Sequence, residues 1–198
     1  MQKASAAVNG GVNVVQLRER NLPGGRLLAL SRRLRLATQG KALLMVNDRV
    51  DVALACGADG VQLGEEALPV AEVRRLAGHD LIIGRSVHGV ESAVDAEQQG
   101  ADFLIVGTIF RTISKPEVDP AGLTLLQEVG RHVHIPYLAI GGVTDENVTA
   151  VVEAGAAGAA ATGALLEAID PEAAANSLRG ELERTWGRRV RAKVVGQR

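Results

Sequence analysis

CGADGVQLG, residues 56–64, places glycine and small residues directly before a short apolar run. The arrangement recurs as GGVNVVQLR at 10–18, GADFLIVG at 100–107 and AGAAGAAATG at 154–163. Glycine fits the end of a helix, where a left-handed backbone conformation is needed. A short apolar run after it fits a strand buried on both faces. Each unit therefore reads as helix, stop, strand. Three further apolar runs lie between these units: ALLMVN at 42–47, LIIGRSV at 81–87 and YLAIGGV at 137–143.

The longer segments between strands read as helices. GRLLALSRRLRLAT has apolar residues at helical spacing with arginine on the other face. PVAEVRRLAG opens with proline at a helix start and closes with glycine. In TDENVTAVVEAG, Thr144 before Asp145 and Glu146 predicts a helix start. Strands alternating with helices imply parallel strands with right-handed crossovers. Their even spacing favours a closed barrel over an open doubly wound sheet, and no G-x-G-x-x-G follows a first strand.

A complete barrel of this type has eight strands. The sequence supplies seven, and residues 1–11 read as helix plus stop, the crossover that would follow a first strand. The expectation is an α/β protein of the (β/α)8 TIM-barrel type with its first strand missing from this chain. Either the start of the sequence is late or the barrel closes imperfectly. An opening would expose strand edges, which makes a homo-oligomer an expectation. The barrel is expected to be one domain over 1–180, followed by a basic C-terminal tail over 181–198.

The chain has 198 residues, 46% hydrophobic, with formal net charge −1. That suits one domain with a sizeable core and gives no whole-protein reason to expect nucleic acid. The cluster Arg188, Arg189, Arg191, Lys193 and Arg198 reads as a solvated tail. The lone Cys56 excludes an internal disulfide framework and reads as a small buried hydrophobe. No apolar stretch is long enough to span a bilayer, and the N-terminus has no signal-peptide core. A cytoplasmic protein with no membrane partner is expected.

In a (β/α) barrel the site lies at the C-terminal ends of the strands. Those ends carry Gln16, Arg18 and Arg20; Asn47, Asp48 and Arg49; Gly64, Glu65 and Glu66; Ser86 and His88. They continue with Thr108 and the loop FRTISKPE containing Thr112, Ser114 and Lys115, then Gly141 and Gly142, then Thr162 and Gly163. The set is rich in cations, hydroxyls and glycine turns that open helices, which suits a phosphorylated ligand. Asp48 is placed to hold a divalent cation bridging phosphate oxygens. Plainer roles stand beside these. Arg20 or Arg49 could pair with a surface acid, Asp48 could cap the helix after it, Gly141-Gly142 could be a tight turn alone, and His88 could be structural. His79, His132 and His134 lie away from strand ends and are given no role.

VQLRER, VNDRVDVALACGADGVQLGEEALPVAEVRRL, IIGRSVH, IFRTISKP and YLAIGGVTDENVTAVVEAGAAGAAATGAL occur in order from about residue 8 to 168. Together they resemble the thiamine phosphate synthase family and its TenI-like relatives. The resemblance implies a (β/α)8 barrel, Mg²⁺, and the joining of hydroxymethylpyrimidine pyrophosphate to thiazole phosphate. Pyrophosphate leaves, a pyrimidine carbocation forms, and the thiazole nitrogen attacks it. By matching motif, Gln16, Arg18, Arg20, Asn47, Ser86 and Lys115 would contact the pyrimidine pyrophosphate, with Arg18, Ser86 and Lys115 taken as catalytic. Asp48 would bind Mg²⁺. Thr112 and Ser114, with backbone at Gly142, Thr162 and Gly163, would hold the thiazole phosphate.

Four departures from the family pattern stand out. Arg20 replaces the usual lysine, and the two are not interchangeable. Ala67 stands where the GQED stretch supplies a second metal-binding aspartate. Thr162-Gly163 replaces Ile-Ser. Thr108 stands where TenI-like thiazole tautomerases carry their acid/base histidine, although GRSVH and QLRER lean toward that branch. The resemblance therefore implies a synthase first. A tautomerase, or a non-catalytic binder of thiazole or thiamine phosphate, is the alternative.

Overall fold

The four glycine-led apolar runs and the three runs between them are all strands, and they form one parallel sheet in the order β1 to β7. These are β1 (Val14–Leu17), β2 (Leu43–Asn47), β3 (Gly60–Leu63), β4 (Ile82–Val87), β5 (Phe103–Val106), β6 (Tyr137–Ile140) and β7 (Gly158–Ala160). α1 (Gln2–Asn9) precedes β1, and the crossovers are α2 (Gly24–Thr38), α3 (Val50–Cys56), α4 (Val70–Ala77), α5 (Val90–Gln98), α6 (Gly122–His132) and α7 (Val148–Glu153). Then α8 (Gly163–Leu166) and the long α9 (Pro171–Val195) complete the chain. The computed structural model describes residues 1–195, with side chains described through residue 188.

Strand alternation divides the sheet into two faces. Leu44, Val46, Val61, Leu63, Ile83, Leu104, Val106 and Ala139 point outward and are buried in one core beneath the helices. The inner face carries Met45, Phe103, Ile105 and Leu138, which line a cavity of about 800 Å³. Glycine allows the dense inner packing. A Cβ at Gly60 would lie 2.6 Å from Met45 Cε.

The curl is the expected α/β barrel with seven strands rather than eight. No pairing joins β7 to β1 among the described residues. The cavity reaches that opening, where Ala4 and Ala7 of α1 and Leu178, Leu182 and Trp186 of α9 line it. The α9 helix packs against α1, α7 and α8. It runs through residues 181–195, where a separate tail was expected. The side chains of Arg189, Arg191 and Lys193, and the whole of Arg198, lie outside the described residues. No helix among the described residues is long and apolar enough to cross a membrane.

One helix starts later than the sequence suggests. α7 begins at Val148 rather than beside Thr144. Asn147 Oδ1 accepts the Thr144 N–H at 3.0 Å, and Asn147 Nδ2 donates to Gly142 O at 2.9 Å. These bonds hold 142–147 as a turn, so the asparagine side chain competes with the first helical turn.

At the N-terminal ends of the strands an acid device occurs twice. Asp59, just before β3, accepts the Leu44 N–H of β2 at 2.7 Å and pairs with Arg35 of α2 at 2.6 Å. Asp102, just before β5, accepts the Ile83 N–H of β4 at 2.7 Å and pairs with Arg74 of α4 at 2.6 Å. Each acid satisfies an edge donor of the neighbouring strand and ties a helix to the sheet. Nearby, Glu97 of α5 accepts the N–H groups of His134 and Ile135, at 2.7 and 2.9 Å. Those bonds hold its carboxyl below the usual glutamate range.

Candidate active site

The period of two places Gln16, Asn47, Gln62 and Ser86 on the inner face, near the C-terminal ends of four adjacent strands. Parallel register brings them together: Gln16 pairs with Met45, Asn47 with Gln62, and Gln62 with Gly84. Gln16 Nε2 donates to Asn47 Oδ1 at 2.7 Å, and Asn47 Nδ2 donates to Asp48 Oδ2 at 2.7 Å. The Gly64 N–H donates to Asp48 Oδ1 at 2.7 Å.

Asp48 does not cap α3, whose N-cap has no side-chain bond. Its φ is 58, a left-handed conformation that aspartate tolerates better than most residues. Its N–H donates to Gln62 O at 3.0 Å. Backbone and carboxylate are thus both fixed to β3, and each carboxylate oxygen keeps a lone pair for a cation.

Arg49 is withdrawn from the site. It forms a bidentate pair with Asp51, at 2.9 and 2.6 Å. Those bonds raise the arginine's affinity for its proton and hold Asp51 below the usual carboxylate range. Arg20 takes the other course. A Cβ on Gly64 would lie 3.4 Å from Asp48 Oδ1 and 3.9 Å from Arg20 Nη2. The guanidinium and carboxylate therefore face the same spot. Arg18, Arg20 and Lys115 join none of the ion pairs among the described residues, which use other cations.

Ser86 is half-buried on β4 and accepts a hydrogen bond from Gln62 Nε2 at 3.1 Å. Gln62 is 1% exposed, and its Oε1 has no partner. Sequence reasoning passed over this residue. The signal was present, because V-Q-L occurs in both β1 and β3 and puts Gln62 on the same inner face as Gln16. Beyond Ser86, His88 Nδ1 lies 2.8 Å from Glu65 Oε1. Arg85 donates to the carbonyls of Glu65 and Leu68 at 3.2 and 3.4 Å, fastening the loop after β3.

The remaining candidates stand on the loops after β5, β6 and β7. Thr112 Oγ1 accepts the Ser114 N–H at 3.4 Å on an exposed loop that also carries Lys115. No side-chain bond ties this loop to the Gln16–Asn47–Asp48 chain among the described residues. Gly142, with φ 63, has the Arg111 carbonyl 2.4 Å from where a Cβ would sit. Only glycine permits both that conformation and that approach. Thr162 is the N-cap of α8, which starts at Gly163, so the first N–H groups there lack intrahelical partners. Thr108 is 6% exposed, a buried hydroxyl where a tautomerase would carry its histidine.

A resident metal cage is absent among the described residues, where no three ligating side chains cluster. Ala67 adds no carboxylate, and Glu65 is engaged by His88. Asp48 fits Mg²⁺ of the kind that keeps its waters and takes most ligands from substrate phosphates.

The chain matches the family model described as thiamine monophosphate synthase over residues 1–165. It is 46% identical to a thiamine-phosphate synthase of Anaeromyxobacter dehalogenans, covering 91% of this chain and 82% of that protein. It is 46% identical to one of Roseiflexus castenholzii, covering 87% and 77%. The solved thiamine phosphate pyrophosphorylase of Pyrococcus furiosus superposes with a TM-score of 0.87 at 37% identity. That match covers 93% of this chain and 89% of the other.

Proposed function

We propose that this chain, which belongs to the thiamine monophosphate synthase family, is a transferase of thiamine biosynthesis that makes thiamine phosphate. It joins hydroxymethylpyrimidine pyrophosphate to thiazole phosphate and releases pyrophosphate. One observation supports this above the rest. A bonded chain from Gln16 through Asn47 to Asp48 stands beside the cations Arg18 and Arg20, which have no ion-pair partner among the described residues. Cations without ion-pair partners beside a fixed carboxylate suit a phosphorylated substrate together with its divalent cation.

The chemical burden is negative charge developing on the leaving pyrophosphate. Preorganised cations and donors stabilise such charge strongly where water is scarce. Arg18, Arg20 and Lys115 supply the positive charge, and the Ser86 hydroxyl adds a donor. Gln16 and Asn47, already bonded to each other, fix the pyrimidine end of the substrate. Asp48 would hold Mg²⁺, which supplies further charge neutralisation for the pyrophosphate when bound. Thr112, Ser114 and the N–H groups at Gly142, Thr162 and Gly163 hold the thiazole phosphate, so that its ring nitrogen meets the reacting carbon.

The substrates are small phosphorylated molecules, and a cytoplasmic setting fits the single unpaired Cys56. The tautomerase reading is weaker, because Thr108 offers no acid/base group of suitable acidity. The test is to supply both substrates with Mg²⁺ and detect thiamine phosphate by mass. Product that disappears with chelator is expected. Folded protein that makes none, yet binds thiazole phosphate, would replace the synthase reading with the binder.

A further inference from the structure

The orphaned oxygen of Gln62 has a specific consequence. Gln62 is 1% exposed and lies on the inner face, with its amide between Ser86 and Gly84. Its Nε2 donates to Ser86 Oγ at 3.1 Å, while its Oε1 is buried without a partner. A Cβ on Gly84 would lie 2.1 Å from that oxygen, so Oε1 packs directly over the glycine.

The two orientations of the amide are not equivalent. The reverse one would bury two N–H donors against Gly84, in place of one carbonyl oxygen. Orphaned N–H groups are the rarer and less tolerated defect. A carbonyl oxygen over a glycine Cα–H also gains a weak contact. The NH2 group therefore faces Ser86. A hydroxyl that accepts from a buried amide has its own hydrogen left to give.

We propose that Gln62 is a positioning residue, which by donating to Ser86 Oγ turns the Ser86 O–H outward as a donor to a ligand oxygen. Gly84 is its necessary neighbour, because any side chain there would displace the amide. The unsatisfied Oε1 is the cost of holding this direction. The proposal rests on the synthase reading for the identity of the oxygen, a pyrophosphate oxygen. The hydrogen-bond logic holds for any oxyanion.

The test is a double-mutant cycle with Gln62→Met, which keeps the shape and removes the donor, and Ser86→Ala. Gln62→Met is expected to lower kcat/KM for the pyrimidine pyrophosphate roughly tenfold, as for loss of one hydrogen bond to a charged group. In the Ser86→Ala background the same change should have almost no further effect. Additive losses in both backgrounds, tracking a lowered Tm, would overturn the proposal. Gln62→Glu gives a second readout that keeps the volume. Ionised, its carboxylate accepts from Ser86 and reverses the hydroxyl; protonated, it donates. Its activity relative to wild type should therefore recover as the pH falls, and a flat ratio would also overturn the proposal. Wild-type turnover tests the synthase reading separately. If wild type makes no product, the cycle is read in the affinity for inorganic pyrophosphate, where the same coupling is expected and its absence is decisive.

Discussion

The two ends of the barrel use charge in opposite ways. At the N-terminal end, Asp59 and Asp102 each hold an arginine at 2.6 Å and cap a neighbouring strand. Every charge in that device has a partner, so it ties helices to strands. At the C-terminal end, Arg18, Arg20 and Lys115 have no ion-pair partner among the described residues, and Gln62 keeps an unsatisfied oxygen. Paired charge has less attraction left for a ligand than unpaired charge. The contrast separates residues that maintain the fold from residues that act.

Four substitutions would break or sharpen this contrast. The largest effect is expected from Lys115→Ala, which should reduce kcat/KM for the pyrophosphate substrate about 100-fold, the scale of one preorganised charge contact. Thiazole phosphate affinity should stay within about twofold and Tm should not move, since Lys115 is exposed. Equal losses for the two substrates would remove Lys115 from the pyrophosphate. At the other end, Asp59→Ala should lower stability by about 2 kcal/mol, because it strands both Arg35 and the Leu44 N–H. Denaturant melts would show that loss while kcat per folded molecule is retained; a selective kcat defect would end the division of labour.

Ala67→Asp should strengthen the response to Mg²⁺ about tenfold, by adding a carboxylate beside Asp48. Titration of activity against Mg²⁺ reads this, and an unchanged midpoint would argue that the substrate is not held through metal here. The smallest effect concerns pH. Glu97 has a depressed carboxyl pKa in the folded state, first because of the His134 N–H. The unfolded chain then binds more protons at acid pH, so this contribution is present above the ordinary glutamate value, about 4.3. It is lost as pH falls through the lower folded value. Glu97→Gln should flatten the acid side of a Tm–pH curve and leave its neutral part nearly unchanged in slope.

Much of this architecture could be read from local pattern. The glycine-led runs became strands, and the family motifs marked the strand ends where Gln16, Asn47, Asp48 and Ser86 stand. Where the sequence leaves two roles open for one residue, near or distant side-chain partners choose between them. For Asp48 the helix-cap alternative falls away, because its oxygen is taken by Gly64, 16 residues away. For Arg49 the surface-acid alternative holds, with Asp51 as its partner. Thr144 was placed at a helix start, but Asn147 delays it. Gln62 precedes the polar strand end at Gly64–Glu66, so only the V-Q-L shared by β1 and β3 marks it as an inner-face residue.

By itself, then, the sequence determined which segments are strands and helices, the parallel α/β class and the chemical character of the strand ends. Those properties follow from glycine placement, apolar periodicity and the few residues at each end, all of which act within one turn or one strand. The tertiary structure alone decided which polar atoms meet. Gln62 reaches Ser86, 24 residues on, because the β3–β4 register sets Gln62 beside Gly84 and the glycine leaves room for the amide. Hydrogen bonds of that kind depend on interstrand register and on missing side-chain volume, neither of which a linear pattern encodes.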